Sequence, residues 1–335
     1  MDIKKLKKPY LVSGGLKKNN TCIFFTAQGK IEIEGCNDAL DVLLPLFDGN
    51  NELESICDKL PEPNRSEIVD LIMLLAEHQI IVDSDRIYEI FYAYSRYPSL
   101  FSTQLTYDEN IQFYYDNSHL SPIKGKTFAL SLDNSAFTNL IKKRKSSRHF
   151  VQESLSENDV MNLMWVAYGK HGEGRSLQGD YPYLTFTVPS GGGLYPIFVY
   201  LFLFKPCGKM QKGLYLWHKE QSVLEVIKEG DHFQKVKDSI IGVEEACLRN
   251  AVGLICLTAD FERSAKKYGN HALNLILLEA GHVMQNAYLY CADKDIGFVE
   301  NYGFLAPDLE KVLGLSFPKR PLVLTAVFGK IEQQN

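Results

Sequence analysis

At 335 residues, with 45% hydrophobic and 23% charged side chains, the chain has ordinary globular proportions and room for two domains. Its net charge of −5 argues against broad electrostatic binding to nucleic acid or to anionic lipid. The seven cysteines contain no C-x-x-C pair, which excludes a zinc ribbon and a disulfide framework and suits reduced thiols in a cytoplasm.

The start, MDIKKLKKPYL, is basic but leads into no apolar segment of the kind a secretory signal needs. The longest apolar run, Ile197 to Phe204, is too short to span a bilayer. Residues 1–90 are expected to form a first unit. Alternating segments at Thr21–Phe25 and Lys30–Glu34 read as a hairpin turning at Gln28-Gly29. Helical patterns follow from Asn37, over Glu52–Leu60 and from Ser66, and the β-branched Ile80-Ile81-Val82 returns as a strand. Strands, three helices and a returning strand predict a winged-helix-like module. It has no basic recognition helix, so docking of a peptide on a strand edge is a better reading than DNA binding. Residues 91–136, rich in Tyr, Phe, Ser and Asn, read as a connector wrapping the next domain, with helical pieces near Ile87–Tyr94.

Residues 137–335 predict an α+β domain. Ser156–Tyr168 is an amphipathic helix with Ser156 and Asp159 in capping-box spacing. Gly169–Gly179 reads as a loop. Strands are expected at Tyr183–Val188, Ile197–Phe204, Leu214–His218, Val223–Ile227, Ala251–Thr258, Gly297–Tyr302 and Leu322–Phe328, with helices near Asp231–Ile240 and Ala306–Leu313. A long helix, with Asn270 as its N-cap, runs to about Asp293 and is apolar over most of its girth, as in a domain centre or a subunit interface. Glu279, His282 and Asn286 share one of its faces.

Three motifs carry possible chemistry. Lys143 to Phe150 interleaves cations with Ser146 and Ser147; it is either a phosphate site or a solvated basic run. Pro189-Ser190-Gly191-Gly192-Gly193-Leu194-Tyr195-Pro196 is either a tight turn or a place where backbone approaches a planar ligand, and it lacks the P-loop and dinucleotide patterns. Lys266-Lys267-Tyr268-Gly269 sets a phenol beside ammonium groups, which makes either a surface turn or a general base. Glu279-x-x-His282 has the spacing of a di-iron helix, but its only echo, Glu229-x-x-His232, falls in a turn, so no metal is expected.

Taken together, Arg144–Phe150 (RKSSRHF), PSGGGLYP (189–196), KYGNHAL (267–273), LLEAGHVMQN (277–286) and NYGF (301–304) resemble the nitroreductase-like flavoproteins called SagB-type dehydrogenases, which include the azoline oxidases of thiazole/oxazole-modified peptides. The likeness covers about residues 137–330. The first unit is similar in pattern to the winged-helix element that binds the leader of a ribosomal precursor peptide. The resemblance implies a nitroreductase-like FMN fold, with a mixed, mainly antiparallel sheet flanked by helices and a long central dimer helix. It further implies a cytoplasmic homodimer with FMN at the subunit interface, acting beside a YcaO-type cyclodehydratase, with no nucleic acid and no membrane. It assigns Arg144, Ser146 and Arg148 to the FMN phosphate and ribityl end, and Pro189, Ser190, Gly191, Gly192, Gln285, Asn286 and Gly303 to the rest of the cofactor. Lys267 and Tyr268 match the family's catalytic pair. The family usually has Ala where Gly192 stands. The competing functions are a general NAD(P)H-dependent nitro or quinone reductase and a non-catalytic scaffold of a peptide-modifying complex.

Overall fold

A computed structural model describes residues 6–12, 15–18, 21–26, 29–35, 37–58, 65–84, 108–109, 111–112, 125–175, 182–315 and 320–332. In the N-terminal part, β1 (Pro9–Leu11) pairs antiparallel with β5 (Ile81–Asp83), so the first and last strands close on each other. Between them β2 (Gly15–Lys18), β3 (Thr21–Thr26) and β4 (Gly29–Glu34) make a three-stranded meander. Helices α1 (Asn37–Leu43), α2 (Leu53–Asp58) and α3 (Arg65–Glu77) bring Leu40, Leu43, Ile56, Ile72 and Leu75 into one buried cluster with Phe24 and Ile81. The expected order of strands, helices and returning strand is present. The helical pieces expected at 87–94 lie outside the described residues.

Residues 125–135 are exposed and belong to no strand, and α4 (Ala136–Lys143) then begins at Ser135, whose hydroxyl accepts the Thr138 N–H. Helix α5 (Glu157–Tyr168) starts at Ser156 with both arms of the capping box formed, as the spacing predicts. Residues 170–175 correct the expectation of a loop: β6 (Lys170–Arg175) pairs with β7 (Pro182–Phe186). Glycines at 172 and 174 hide the alternation that marks a strand. The Gly174 position has no room for a Cβ because the Tyr183 ring lies over it from the neighbouring strand.

The centre is a six-stranded sheet in the order β10-β9-β8-β11-β13-β12, every neighbouring pair antiparallel. Its strands are β8 (Ile197–Leu203), β9 (Gly213–His218), β10 (Val223–Glu229), β11 (Gly253–Ala259), β12 (Ile296–Asn301) and β13 (Leu322–Lys330). All of β11 is buried because both sheet faces are covered. Ile255 and Leu257 join a core with α5 and the 22-residue α9 (Ala272–Asp293). Leu254 and Cys256 face the opposite way, onto α6 (Phe233–Lys237), α7 (Glu245–Asn250) and α10 (Ala306–Leu313). That two-sided burial is why β11 reads as an unbroken apolar run. Each large aliphatic side chain so buried stabilises the fold by roughly 1.5–3 kcal/mol. The described cysteines form no disulfide with one another; all but Cys57 are buried. Among the described residues no helix is long and apolar enough to cross a membrane.

Candidate functional site

Helix α8 (Phe261–Tyr268) starts at Asp260, whose carboxylate accepts the Arg263 N–H at 3.1 Å, and stops at Gly269, which has a φ of 52°. Lys267 and Tyr268 are its last two residues. A 3₁₀ turn, Gly269–His271, leads into α9, and the residue before α9 is His271, with no side-chain cap. Asn270 is therefore not the N-cap. The turn already carries helical backbone into α9, so no capping side chain is required there.

Pro189 and Ser190 lead out of β7 into a 3₁₀ turn at Gly191–Gly193. Gly192 has a φ of 64°, a left-handed value that glycine adopts freely. A Cβ at Gly192 would stand 2.5 Å from Tyr268 Oη and 2.8 Å from Lys267 Nζ. The two side-chain ends thus converge on the space that the missing methyl leaves. Gly191 lies close to Leu275 of α9. The glycine turn and the Lys-Tyr pair, some 75 residues apart in the chain by a rough count, form one site.

Below this turn is a buried polar network. Glu279 is 2% exposed, and Tyr168 donates its phenolic O–H to Glu279 Oε1 at 2.6 Å. Burial pushes the Glu279 carboxyl above the usual carboxylate range, while hydrogen bonds from Ser190 and Tyr168 pull it back. Tyr168 is raised well above an ordinary phenol by burial and by the Glu279 charge. Ser190 Oγ also accepts the Tyr195 N–H at 2.8 Å. Lys219, 6% exposed, donates to the carbonyls of Tyr195 and Ile197, each at 2.9 Å, and stands 4.6 Å from the centre of the Tyr168 ring. Burial lowers its ammonium pKa to about 8. Sequence reasoning missed Lys219 and Tyr168. A lysine at the exit of a hairpin strand and a tyrosine ending an amphipathic helix carry no local signal of such a role. Of the two residues in di-iron spacing, Glu279 is buried and His282 is exposed.

The basic motif lies along β12. Ser147 N–H donates to the Phe298 carbonyl at 2.9 Å, which anchors the segment. The Arg144 guanidinium is 5.2 Å from the centre of the Tyr288 ring, and Ser146 Oγ is 2.9 Å from Tyr288 Oη. Tyr288 Oη also accepts the Glu300 N–H. Burial raises the Glu300 carboxyl and the Arg144 charge opposes that rise. Arg148 is exposed, and its charge opposes the burial that pushes the Cys247 thiol up to about 11. Arg144 and Ser146 thus meet at Tyr288 with polar groups partly open, donors of the kind that suit phosphate, whereas Arg148 lies toward Cys247.

Leu275 and Tyr288 are on one helix, so these two groups stand about 20 Å apart at 1.5 Å of rise per residue. Between them Gln285 is exposed, whereas Asn286 spends both amide protons on the carbonyls of Val166 and Thr187. Gly303 is in neither group. Its N–H donates to Asn301 Oδ1 and its carbonyl accepts the N–H groups of Ile241 and Gly242.

A family model described as the nitroreductase family matches residues 141–330. Protein MJ1384 of Methanocaldococcus jannaschii, which carries the nitroreductase name, is 26% identical over 191 residues, covering 57% of this chain and 89% of that protein. Among solved structures, a chain of the E. coli microcin synthetase McbBCD complex with truncated pro-MccB17 bound superposes with a TM-score of 0.56 at 20% identity. That match covers 75% of this chain and 94% of the other, and it shows a shared fold. A nitroreductase-named structure from Ralstonia eutropha gives a TM-score of 0.47 at 23% identity, over 64% of this chain and 89% of its own. With the family model spanning more than half of the chain, over the residues that build the antiparallel sheet, the long helix and both polar groups, the chain belongs to the nitroreductase family.

Proposed function

We propose that the protein is an FMN-dependent dehydrogenase that oxidises thiazoline or oxazoline rings to thiazole or oxazole in a ribosomally made peptide. The observation that carries this reading is the convergence of Lys267 Nζ and Tyr268 Oη on the Cβ-free face of Gly192. A nitro or quinone reductase working on an electron-poor acceptor has no proton to remove from carbon. An azoline has such a proton, and the Lys267-Tyr268 pair held against the glycine turn suits its removal.

The residues fit the cofactor. Arg144, Arg148 and Ser146 offer the donors for its phosphate, and Ser190, Gly191 and Gly192 offer backbone without side chains for a flat ring. Bound FMN supplies a two-electron acceptor for the hydride that leaves the ring carbon next to Cα. Tyr268 takes the Cα proton, and Lys267 places positive charge beside the oxygen that receives it. The C–H electrons left at Cα become the new ring double bond, so loss of one proton and one hydride accounts for the two hydrogens removed. Ser190, bonded to Glu279 and to the Tyr195 N–H, fixes the turn on which this alignment depends.

The separation of the two groups within one chain supports a homodimer in which each flavin site draws on both copies. Leu277 and Leu278, 40% and 62% exposed on α9, supply apolar surface for that contact. Residues 1–90 act as the leader-docking domain, 91–136 as the connector and 137–335 as the oxidoreductase domain. A YcaO-type cyclodehydratase supplies the azoline. The microcin synthetase chain that shares this fold belongs to a complex with a peptide bound, which is the setting this reading asks for. The family name itself favours a second reading, an NAD(P)H-dependent reductase. Mass spectrometry decides between them: loss of two hydrogens per ring from a heterocyclised peptide supports the first. NAD(P)H-driven nitroaromatic reduction with no change in that peptide supports the second.

A further inference from the structure

Behind the glycine turn, on the side of the β6–β7 hairpin, is a cleft of about 570 Å³. That volume lies in the range of small-ligand sites. One wall is β7, through Tyr183, Leu184 and Phe186; the other is the turn itself, through Gly192 and Tyr195. Gly192 is also the residue against which Lys267 and Tyr268 converge, so the cleft opens next to the proposed point of proton removal.

Three features give the cleft a chemical preference. Its walls are aromatic and held in place. The Phe186 and Tyr195 rings are 4.3 Å apart between centres, and the Tyr195 phenol hydrogen-bonds to the Phe186 backbone. Lys219, buried behind them, stands 5.8 Å from the Phe186 ring centre. The Tyr183 ring, 51% exposed, is laid across Gly174, where no Cβ can intrude. Second, β7 pairs with β6 alone, so its other edge carries no strand among the described residues and, apart from the Phe186 backbone that Tyr195 bonds, can accept an extended backbone. Third, Glu220 and Arg263 add one charge of each sign to the lining. That balance suits a dipolar peptide chain and disfavours a strongly anionic or cationic one.

We infer that this cleft binds the peptide residue next to the ring being oxidised, held extended along β7, and that it prefers a planar side chain or an already formed azole at that position. The inference rests on the functional reading above and adds the substrate preference of the same site. Flat rings offset-stack on Phe186, Tyr195 and Tyr183 with little loss of freedom, and an aliphatic neighbour gains less. An azole made in one turnover would then seat the next azoline beside Tyr268. Oxidation of adjacent rings would proceed in order along the peptide.

The test uses the full-length protein with two leaderless azoline peptides, identical except for phenylalanine or alanine beside the ring. The expected result is a kcat/KM at least tenfold higher for the phenylalanine peptide. Tyr183→Ala should cut that preference to within twofold, and Gly174→Ala, which displaces the Tyr183 ring without deleting it, should cut it in part. A fluorescein-labelled azole product should bind Tyr183→Ala about tenfold more weakly by anisotropy. Equal kcat/KM for the two peptides in the wild type, or a preference untouched by Tyr183→Ala, overturns the cleft assignment and leaves the dehydrogenase reading standing. A wild type that oxidises neither peptide but reduces nitroaromatics overturns both.

Discussion

The two ends of α9 solve opposite problems. At its N-terminal end the polar groups are buried and satisfied within one chain: Tyr168 bonds Glu279, Lys219 bonds two carbonyls, and Ser190 ties both to the glycine turn. Toward its C-terminal end Arg144 and Ser146 stand at a buried tyrosine, Tyr288, with Ser146 open to solvent, and Arg148 is exposed farther along the same segment. A buried network of that kind holds geometry, because each member left unpaired would cost about 1–3 kcal/mol. Open cations hold capacity, ready for an anion that the chain does not itself supply. On the proposed reading one end serves alignment and the other capture.

Substitutions sharpen the contrast, and the largest effect falls at the aligned end. Tyr268→Phe should lower azoline kcat by about 10²–10⁴-fold while the flavin absorbance spectrum is retained. Unchanged turnover there would remove the pair from catalysis. Gly192→Ala should approach about 10²-fold, since a Cβ must push both side-chain ends aside at a backbone angle alanine dislikes. At the capture end, Arg144→Ala should weaken FMN binding by about 10–100-fold, read by flavin fluorescence on dilution, with the fold intact.

A subtler probe is pH. The Lys219 pKa is lower folded than unfolded, so the unfolded chain binds more protons between about pH 8 and the ordinary lysine value of 10.5. Stability carried by this group therefore rises with pH through that window, and Lys219→Met should abolish the rise in chemical denaturation. Glu279 works in the other sense. Its raised carboxyl favours the fold below the ordinary carboxylate range and loses that advantage as pH climbs through the raised value, and Glu279→Gln should flatten that decline. The smallest effect belongs to Asp260→Ala, which removes the cap of α8 at about 1 kcal/mol and should lower the melting temperature with little change in rate.

Much of the fold could be read from the chain because the signals were local. Ser156 and Asp159 announced a capping box that is there, and β11 announced a strand buried on both sides. Segments governed by distant partners were opaque. Lys170–Arg175 becomes a strand only because β7 lies beside it, and the glycines that admit Tyr183 erase its pattern. Helix α8 is polar and short, so it read as a turn before the long helix. For the site, the glycine turn and the Lys267-Tyr268 doublet stood out as separate motifs; no local pattern in the chain joins them, because their meeting is tertiary. Lys219 gave no warning at all, since its role arises from two carbonyls more than twenty residues upstream.

The cysteines carry a practical consequence. Burial lifts the thiols of Cys207, Cys247, Cys256 and Cys291 above their ordinary value, Cys247 to about 11, so at neutral pH almost none is thiolate. Thiolate is the form that peroxide attacks and that disulfide exchange consumes. These four sulfurs would therefore be inert toward peroxide. Handling and storage of the protein without reducing agents should leave them unmodified.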